Sequence, residues 1–162
     1  MIPVILDRPA EIMAASVGFR RTVENAGKTD RSVQKVNFFE SIARDGEAAG
    51  AELALAKYFE IPDFELSVGT FKNQADIGSR IECKWTRWQD GHLIIKDSDR
   101  DQDIAVLVVG QSPTYYVVGW IPVAVAKKPR FKHAKSDSWW VSQINLRPIE
   151  TLRSSNHAHT SL

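Results

Sequence analysis

The chain reads as an α+β domain with a central mixed, mostly antiparallel sheet flanked by helices. Three observations predict it. Apolar residues recur at helical spacing across 10–25 and again across 36–59. From Phe64 onward the apolar runs shorten to strand length and are separated by Gly, Pro and Asp. Within them, Ile104-Ala105-Val106-Leu107-Val108-Val109 is apolar throughout, which marks a central strand buried on both faces. Helices that precede a set of strands suggest one sheet face covered by helices, with some parallel pairing left open.

Taken in order, Pro9 suits an early helical position, and Ile12, Met13, Val17, Phe19 and Val23 supply the apolar residues of a helix that Gly27 can stop. Residues 26–35 are polar and charged, the composition of a linker. The next helix starts near Val36 and runs to Phe59, ended by Ile61-Pro62; Gly46 is a point at which it could divide. Ala48, Ala49, Gly50 and Ala51 allow close backbone approach. Strands are expected at 64–68, 74–77, 80–85, 92–96, 104–109 and 115–121, with turns at Asp90-Gly91, at 110–113 and at Pro122. Residues 154–162 form a polar tail expected to fray.

Composition sets the class. The 162 residues are 43% apolar and 25% charged, ordinary for one globular domain able to bury roughly two-thirds of its unfolded surface. Lys and Arg total 21 against 20 Asp and Glu, so only the distribution of charge can speak to nucleic acid. The single cysteine, Cys83, cannot form an internal disulfide, no secretory pattern follows Met1, and no apolar run approaches the ~20 residues of a membrane span. A cytoplasmic protein with no membrane partner is the expectation.

The stretch from Gln74 to Trp85 carries the chemistry. With Gly78-Ser79-Arg80 as a three-residue loop, Ile77 pairs with Ile81 and Asp76 lies opposite Glu82. Opposed residues have Cβ atoms about 5 Å apart, where like charges repel unless a cation lies between them. Period two puts Lys84 on the Glu82 face and turns Ala75, Ile77, Ile81, Cys83 and Trp85 toward a core. Taken alone, the pattern also fits a solvated face of exposed ion pairs. Glu52 lies in an otherwise small, apolar helical stretch, where a carboxylate must reach solvent, a cation or a metal-bound water; Glu47 is a weaker competitor.

The helical segment from Gly50 to Lys57 with its Glu52, then Asp76, then Glu82-Cys83-Lys84, resembles the core of the PD-(D/E)XK nuclease superfamily, in the order that superfamily uses. Ala75 stands where the superfamily name places proline. Val17-Gly18-Phe19-Arg20-Arg21, Val118-Gly119-Trp120-Ile121 and Leu146-Arg147-Pro148-Ile149 resemble uncharacterised proteins of tailed phages. The resemblance implies a restriction-endonuclease-like core over 36–153, an N-terminal helix and linker over 1–35 packed on it, and a flexible tail. It implies a Mg²⁺- or Mn²⁺-dependent deoxyribonuclease, acting in phage genome processing or recombination and, if phage-encoded, in the host cytoplasm. Asp76 and Glu82 would hold the metal with the Cys83 backbone carbonyl, Lys84 would orient water or stabilise developing charge, and Glu52 would bind a second metal or a metal-bound water. The alternative is a non-catalytic nucleic-acid-binding or protein-interaction module on the same fold. Related folds act as dimers or rings, so a homo-oligomer is compatible with the resemblance.

DNA contacts are expected from Lys127, Lys128, Arg130, Lys132 and Lys135, five cations in a stretch with no acid, which could equally be a solvated loop. Trp139 and Trp140 read first as packing residues and second as base-stacking ones. Asp97, Asp99, Asp101 and Asp103 lack the glycine and the terminal glutamate of a calcium loop and read as a turn between strands, with Asp99 or Gln102 as the residues that could border the site. Cys83 reads as a buried thiol, and the four histidines make no zinc pattern.

Overall fold

The computed structural model describes residues 1–27, 36–69 and 74–155. The expected linker lies mostly outside them, at 28–35, as does most of the expected tail, at 156–162. Helix α1 spans Arg8–Asn25; the Asp7 carboxylate accepts from the Ala10 N–H at 2.9 Å, and Pro9 sits in the first turn, where its missing N–H removes no helix bond. Helix α2 spans Phe38–Tyr58 and starts on a reciprocal cap in which Asn37 and Glu40 each accept from the other's backbone N–H at 3.0 Å.

Gly46 does not divide α2. It is where α1 crosses: a Cβ on Gly18 would collide with the backbone of Gly46 and Asp45. Two facing glycines let the helix backbones touch, so the glycine serves packing between helices rather than a break within one.

The main sheet has the order β1-β5-β4-β2, with a short β7 (Arg147–Pro148) added to β5. Strand β1 (Ile2–Ile5) pairs antiparallel with β5 (Thr114–Pro122), which pairs antiparallel with β4 (Ile104–Gln111). Strand β2 (Ile81–Thr86) runs parallel to β4, from Ile81↔Ile104 to Thr86↔Val109. The sheet is therefore mixed and mostly antiparallel. β1 escapes the sequence pattern because only one of its four residues is buried, too few for an alternation to register.

Residues 92–96, expected to join the main sheet, instead supply β3 (Leu93–Lys96) of a separate antiparallel pair with β6 (Ser138–Val141). This ribbon lies across the main sheet and buries Leu93, Ile95 and Val141 against Ala105, Leu107 and Val109. The opposite face packs Ala51, Ala54 and Leu55 of α2 against Ile81, Ile104, Val106, Val108 and Trp120. Cover on both faces explains why seven consecutive residues of β4 are buried. Two short helices, α3 (Val123–Ala126) and α4 (Glu150–Arg153), follow β5 and β7. Among the described residues, no helix is long and apolar enough to cross a membrane.

Residues 64–68 form no strand. Leu66 and Val68 pack against Ala14, Val17 and Ala49, and the Ser67 carbonyl accepts from the Arg21 guanidinium at 2.9 and 2.6 Å. A side chain thus takes a backbone acceptor that a ladder would have used. The first arm of the expected hairpin shrinks likewise to the single bridge Ile77↔Ile81, closed by two backbone hydrogen bonds of 3.0 and 3.1 Å.

Candidate functional site

The loop at Gly78-Ser79-Arg80 turns the chain as its composition predicts, and Ile77 and Ile81 meet across it. Asp76 then reaches the outer edge of β2, where the Cys83 N–H donates to its Oδ2 at 2.9 Å. In an extended strand the N–H and C=O of one residue leave on the same side, so the Cys83 carbonyl also points to this edge.

Alternation along β2 separates two environments. Ile81, Cys83 and Trp85 belong to the core beneath α2, with Ile77 beside them. Glu82 and Lys84 project from the other face. The Lys84 ammonium lies 2.8 Å from Asp99 Oδ2 and 4.0 Å from Glu82 Oε2. All three side chains are largely buried: 17% of Glu82, 18% of Lys84 and 12% of Asp99 remains accessible.

Burial pushes the Glu82 carboxyl up from its ordinary value to about 7; the negative charge of Asp76 adds to this, Lys84 opposes it, and Asp99 and Asp103 contribute further. Burial also raises the Cys83 thiol well above its usual value, reinforced by Asp76 and Glu52, which leaves it protonated at neutral pH and unsuited to nucleophilic attack.

Glu52 approaches from the α2 side and is 7% exposed. The cation it meets is Arg21 of α1, whose Nη1 and Nη2 donate to Oε1 and Oε2 at 2.9 Å each. Burial works to lower the pKa of Arg21, but the hydrogen bonds and charge of Glu52, with Asp76 and Asp45 adding, carry it above its ordinary value. Asp76 is thereby felt by Glu82 on one face of β2 and by Arg21 on the other. Both Glu52 oxygens are engaged by this guanidinium. Arg21 is the residue the sequence reading missed. Its signal is positional: it falls on the same α1 stripe as buried Ala14, Val17 and Gly18, where an arginine requires an anion. Glu47 lies elsewhere, accepting from the Ser112 N–H at 2.9 Å and the Tyr115 hydroxyl at 2.7 Å.

Asp97–Asp103 is the expected turn between strands, and Asp99 does border the site. Its Oδ2 also accepts from the Lys96 N–H at 2.8 Å. Asp103 is 1% exposed and pairs through Oδ2 with Arg100 Nε at 2.8 Å.

The basic stretch divides. Lys127 donates to the carbonyls of Asp97 and Asp99 at 3.1 and 2.6 Å and pairs with Asp101 at 2.8 Å. Lys128, Arg130, Lys132 and Lys135 are exposed; Lys132 reaches Asp137 at 3.3 Å and lies 4.2 Å from the Trp139 ring centre, and Arg130 lies over Phe131. Trp139 packs against the core between the sheets, while Trp140 is 39% exposed and stacked against His133 at 4.4 Å.

Asp76, Glu82 and the Cys83 carbonyl are the groups at this edge that could meet a hard divalent cation. Among the described residues no three His, Cys, Asp or Glu side chains converge as a ligand set, so water or phosphate oxygens would have to complete such a shell. Comparison with protein-family models, curated proteins and solved structures found no match.

Proposed function

We propose that the protein is a metal-dependent nuclease that hydrolyses DNA phosphodiester bonds at the β2 edge. The observation that carries this reading is the crowding of Asp76 and Glu82 beside Lys84, with the Glu82 carboxyl raised to about 7. A buried carboxyl that is costly to ionise, with the charge of Asp76 adding to that cost, suits a hard divalent cation, which would relieve both. When bound, Mg²⁺ or Mn²⁺ supplies polarisation of the scissile phosphate and activation of water.

The chain's own residues would divide the remaining work. Asp76, oriented by the Cys83 N–H, and Glu82 would hold the cation. Lys84 carries positive charge to where charge develops on the phosphoryl oxygens, and its ammonium can orient the attacking water. The burial of Glu82, Lys84 and Asp99 lowers the local dielectric and would strengthen these interactions. Lys128, Arg130, Lys132 and Lys135 offer sequence-independent contacts to the phosphate backbone.

The test is incubation with plasmid, linear and single-stranded DNA in Mg²⁺ or Mn²⁺, alongside Asp76→Ala and Lys84→Ala. Metal-dependent cleavage lost in both variants is expected. Cleavage without metal, or equal cleavage by the variants, overturns the assignment.

A second reading has its own support. Glu52 is paired to Arg21 at 2.9 Å and Lys84 to Asp99 at 2.8 Å, so the expected second-metal ligand and the expected catalytic cation are each held in a close ion pair within the protein. A non-catalytic nucleic-acid-binding module would keep such pairs. DNA binding that is independent of metal, without cleavage of any of the three substrates, favours it.

A further inference from the structure

We propose that Asp99 is the positioning residue for the Lys84 ammonium, and that Lys127 acts on the same centre through Asp99 rather than by touching nucleic acid. Its catalytic meaning rests on the nuclease reading above; the positioning itself does not.

A lysine side chain is flexible and places its charge only where something holds it. At the site the holder is Asp99, 2.8 Å from Lys84 Nζ, whereas Glu82 stands 4.0 Å away. Asp99 is itself fixed twice. The Lys96 N–H donates to the same carboxylate oxygen at 2.8 Å, and Lys127 Nζ donates to the Asp99 carbonyl at 2.6 Å.

An ammonium has three N–H donors. Those of Lys127 are matched by three acceptors of one loop: the carbonyls of Asp97 and Asp99 and the carboxylate of Asp101. A donor spent on a phosphate would have to leave that loop. Lys127 and Lys128 are adjacent and identical in charge, yet Lys127 braces the loop that carries Asp99, while Lys128 is exposed. Tightly held second partners of this kind keep a reactive group in place.

The test uses the full chain and two readouts. Labelling of Lys84 by an amine-reactive acylating reagent, followed by mass spectrometry, reports how firmly the ammonium is held. It is compared in the unmodified protein, Asp99→Asn, Asp99→Glu, Lys127→Met and Lys128→Met, with thermal melts confirming that each is folded. Lys84 labelling should accelerate several-fold in Asp99→Asn and Lys127→Met, return toward the original rate in Asp99→Glu, and stay unchanged in Lys128→Met. Cleavage in Mg²⁺ should show kcat reduced about ten- to a hundredfold in Asp99→Asn with KM nearly unchanged, the size expected for misplacing a catalytic group. Lys127→Met should lower kcat, and Lys128→Met should raise KM.

Unchanged Lys84 labelling in both Asp99→Asn and Lys127→Met overturns the proposal whatever the cleavage results. Lys127→Met that raises KM while kcat is kept overturns the role of Lys127. Labelling that changes as expected in a protein that cuts no DNA retains the positioning and removes the nuclease reading.

Discussion

Arg21 and Glu52 form a two-point ion pair, with two parallel N–H···O contacts of 2.9 Å and each residue 7% exposed. The same guanidinium reaches the Ser67 carbonyl, so one side chain joins α1, α2 and the 64–68 segment that leads toward Asp76. Planar bidentate geometry of this kind is specific to arginine.

Removing one partner should cost far more than removing both. Glu52→Ala leaves a buried guanidinium without its carboxylate partner, a loss of about 3 to 5 kcal/mol, whereas apolar replacement of both partners can come close to neutral. Urea denaturation of Glu52→Ala, Arg21→Met and the double variant Arg21→Met/Glu52→Leu measures this. A double variant no more stable than the singles would show that the pair is not the source of the cost.

Glu82 makes stability depend on pH in a direction opposite to an ordinary salt-bridged acid. Its folded pKa of about 7 lies above its usual value, so the folded state holds the proton more tightly than the unfolded chain does. The contribution of Glu82 to stability is therefore fully present below the unfolded pKa and is lost as pH rises from about 4.5 to about 7. Glu82→Gln should flatten that fall and raise stability at pH 8 by on the order of 1 to 3 kcal/mol. Chemical denaturation of both proteins between pH 4 and 8 checks it, and parallel curves would remove Glu82 as the cause.

Divalent metal should reverse that penalty under the proposed function. At pH 7.5, Mg²⁺ or Mn²⁺ at a hundred times its dissociation constant would add about 2.7 kcal/mol to stability. The gain should disappear in Asp76→Ala. An equal rise in melting temperature in both proteins would mean that the cation binds elsewhere.

The crossing of Gly18 and Gly46 sets a packing limit. Alanine is a better helix former than glycine by about 1 kcal/mol, but overpacking costs about 1 to 3 kcal/mol and here the collision is with backbone, which cannot rotate aside. Gly18→Ala is expected to be net destabilising. A raised denaturation midpoint would show that the helices separate at little cost.

The exposed cations should reveal themselves through salt. Replacing Lys128, Arg130 or Lys135 by Gln, one at a time, leaves one phosphate fewer neutralised and should reduce the slope of log Kobs against log salt by about 0.7 to 0.9. Fluorescence anisotropy with labelled DNA over a range of salt concentrations measures the slope, and an unchanged slope would place the DNA on another surface.

Local sequence alone determined the two long helices, the apolar central strand, the Ile77–Ile81 turn, and the division of β2 into an inward Cys83 face and an outward Glu82–Lys84 face. These follow from caps, turn residues and side-chain periodicity, all written within a few neighbouring positions. Tertiary structure alone decided which charges meet. Arg21 and Glu52 are 31 residues apart, and Lys127 lies 28 residues from the Asp99 carbonyl it holds, so no local period links them. The parallel register of β2 on β4, the separate β3–β6 ribbon, and the capture of 64–68 by Arg21 likewise depend on long-range pairing. A charge buried by folding takes whichever partner the fold delivers, because leaving it unpaired in a low-dielectric interior costs more than any local preference can supply.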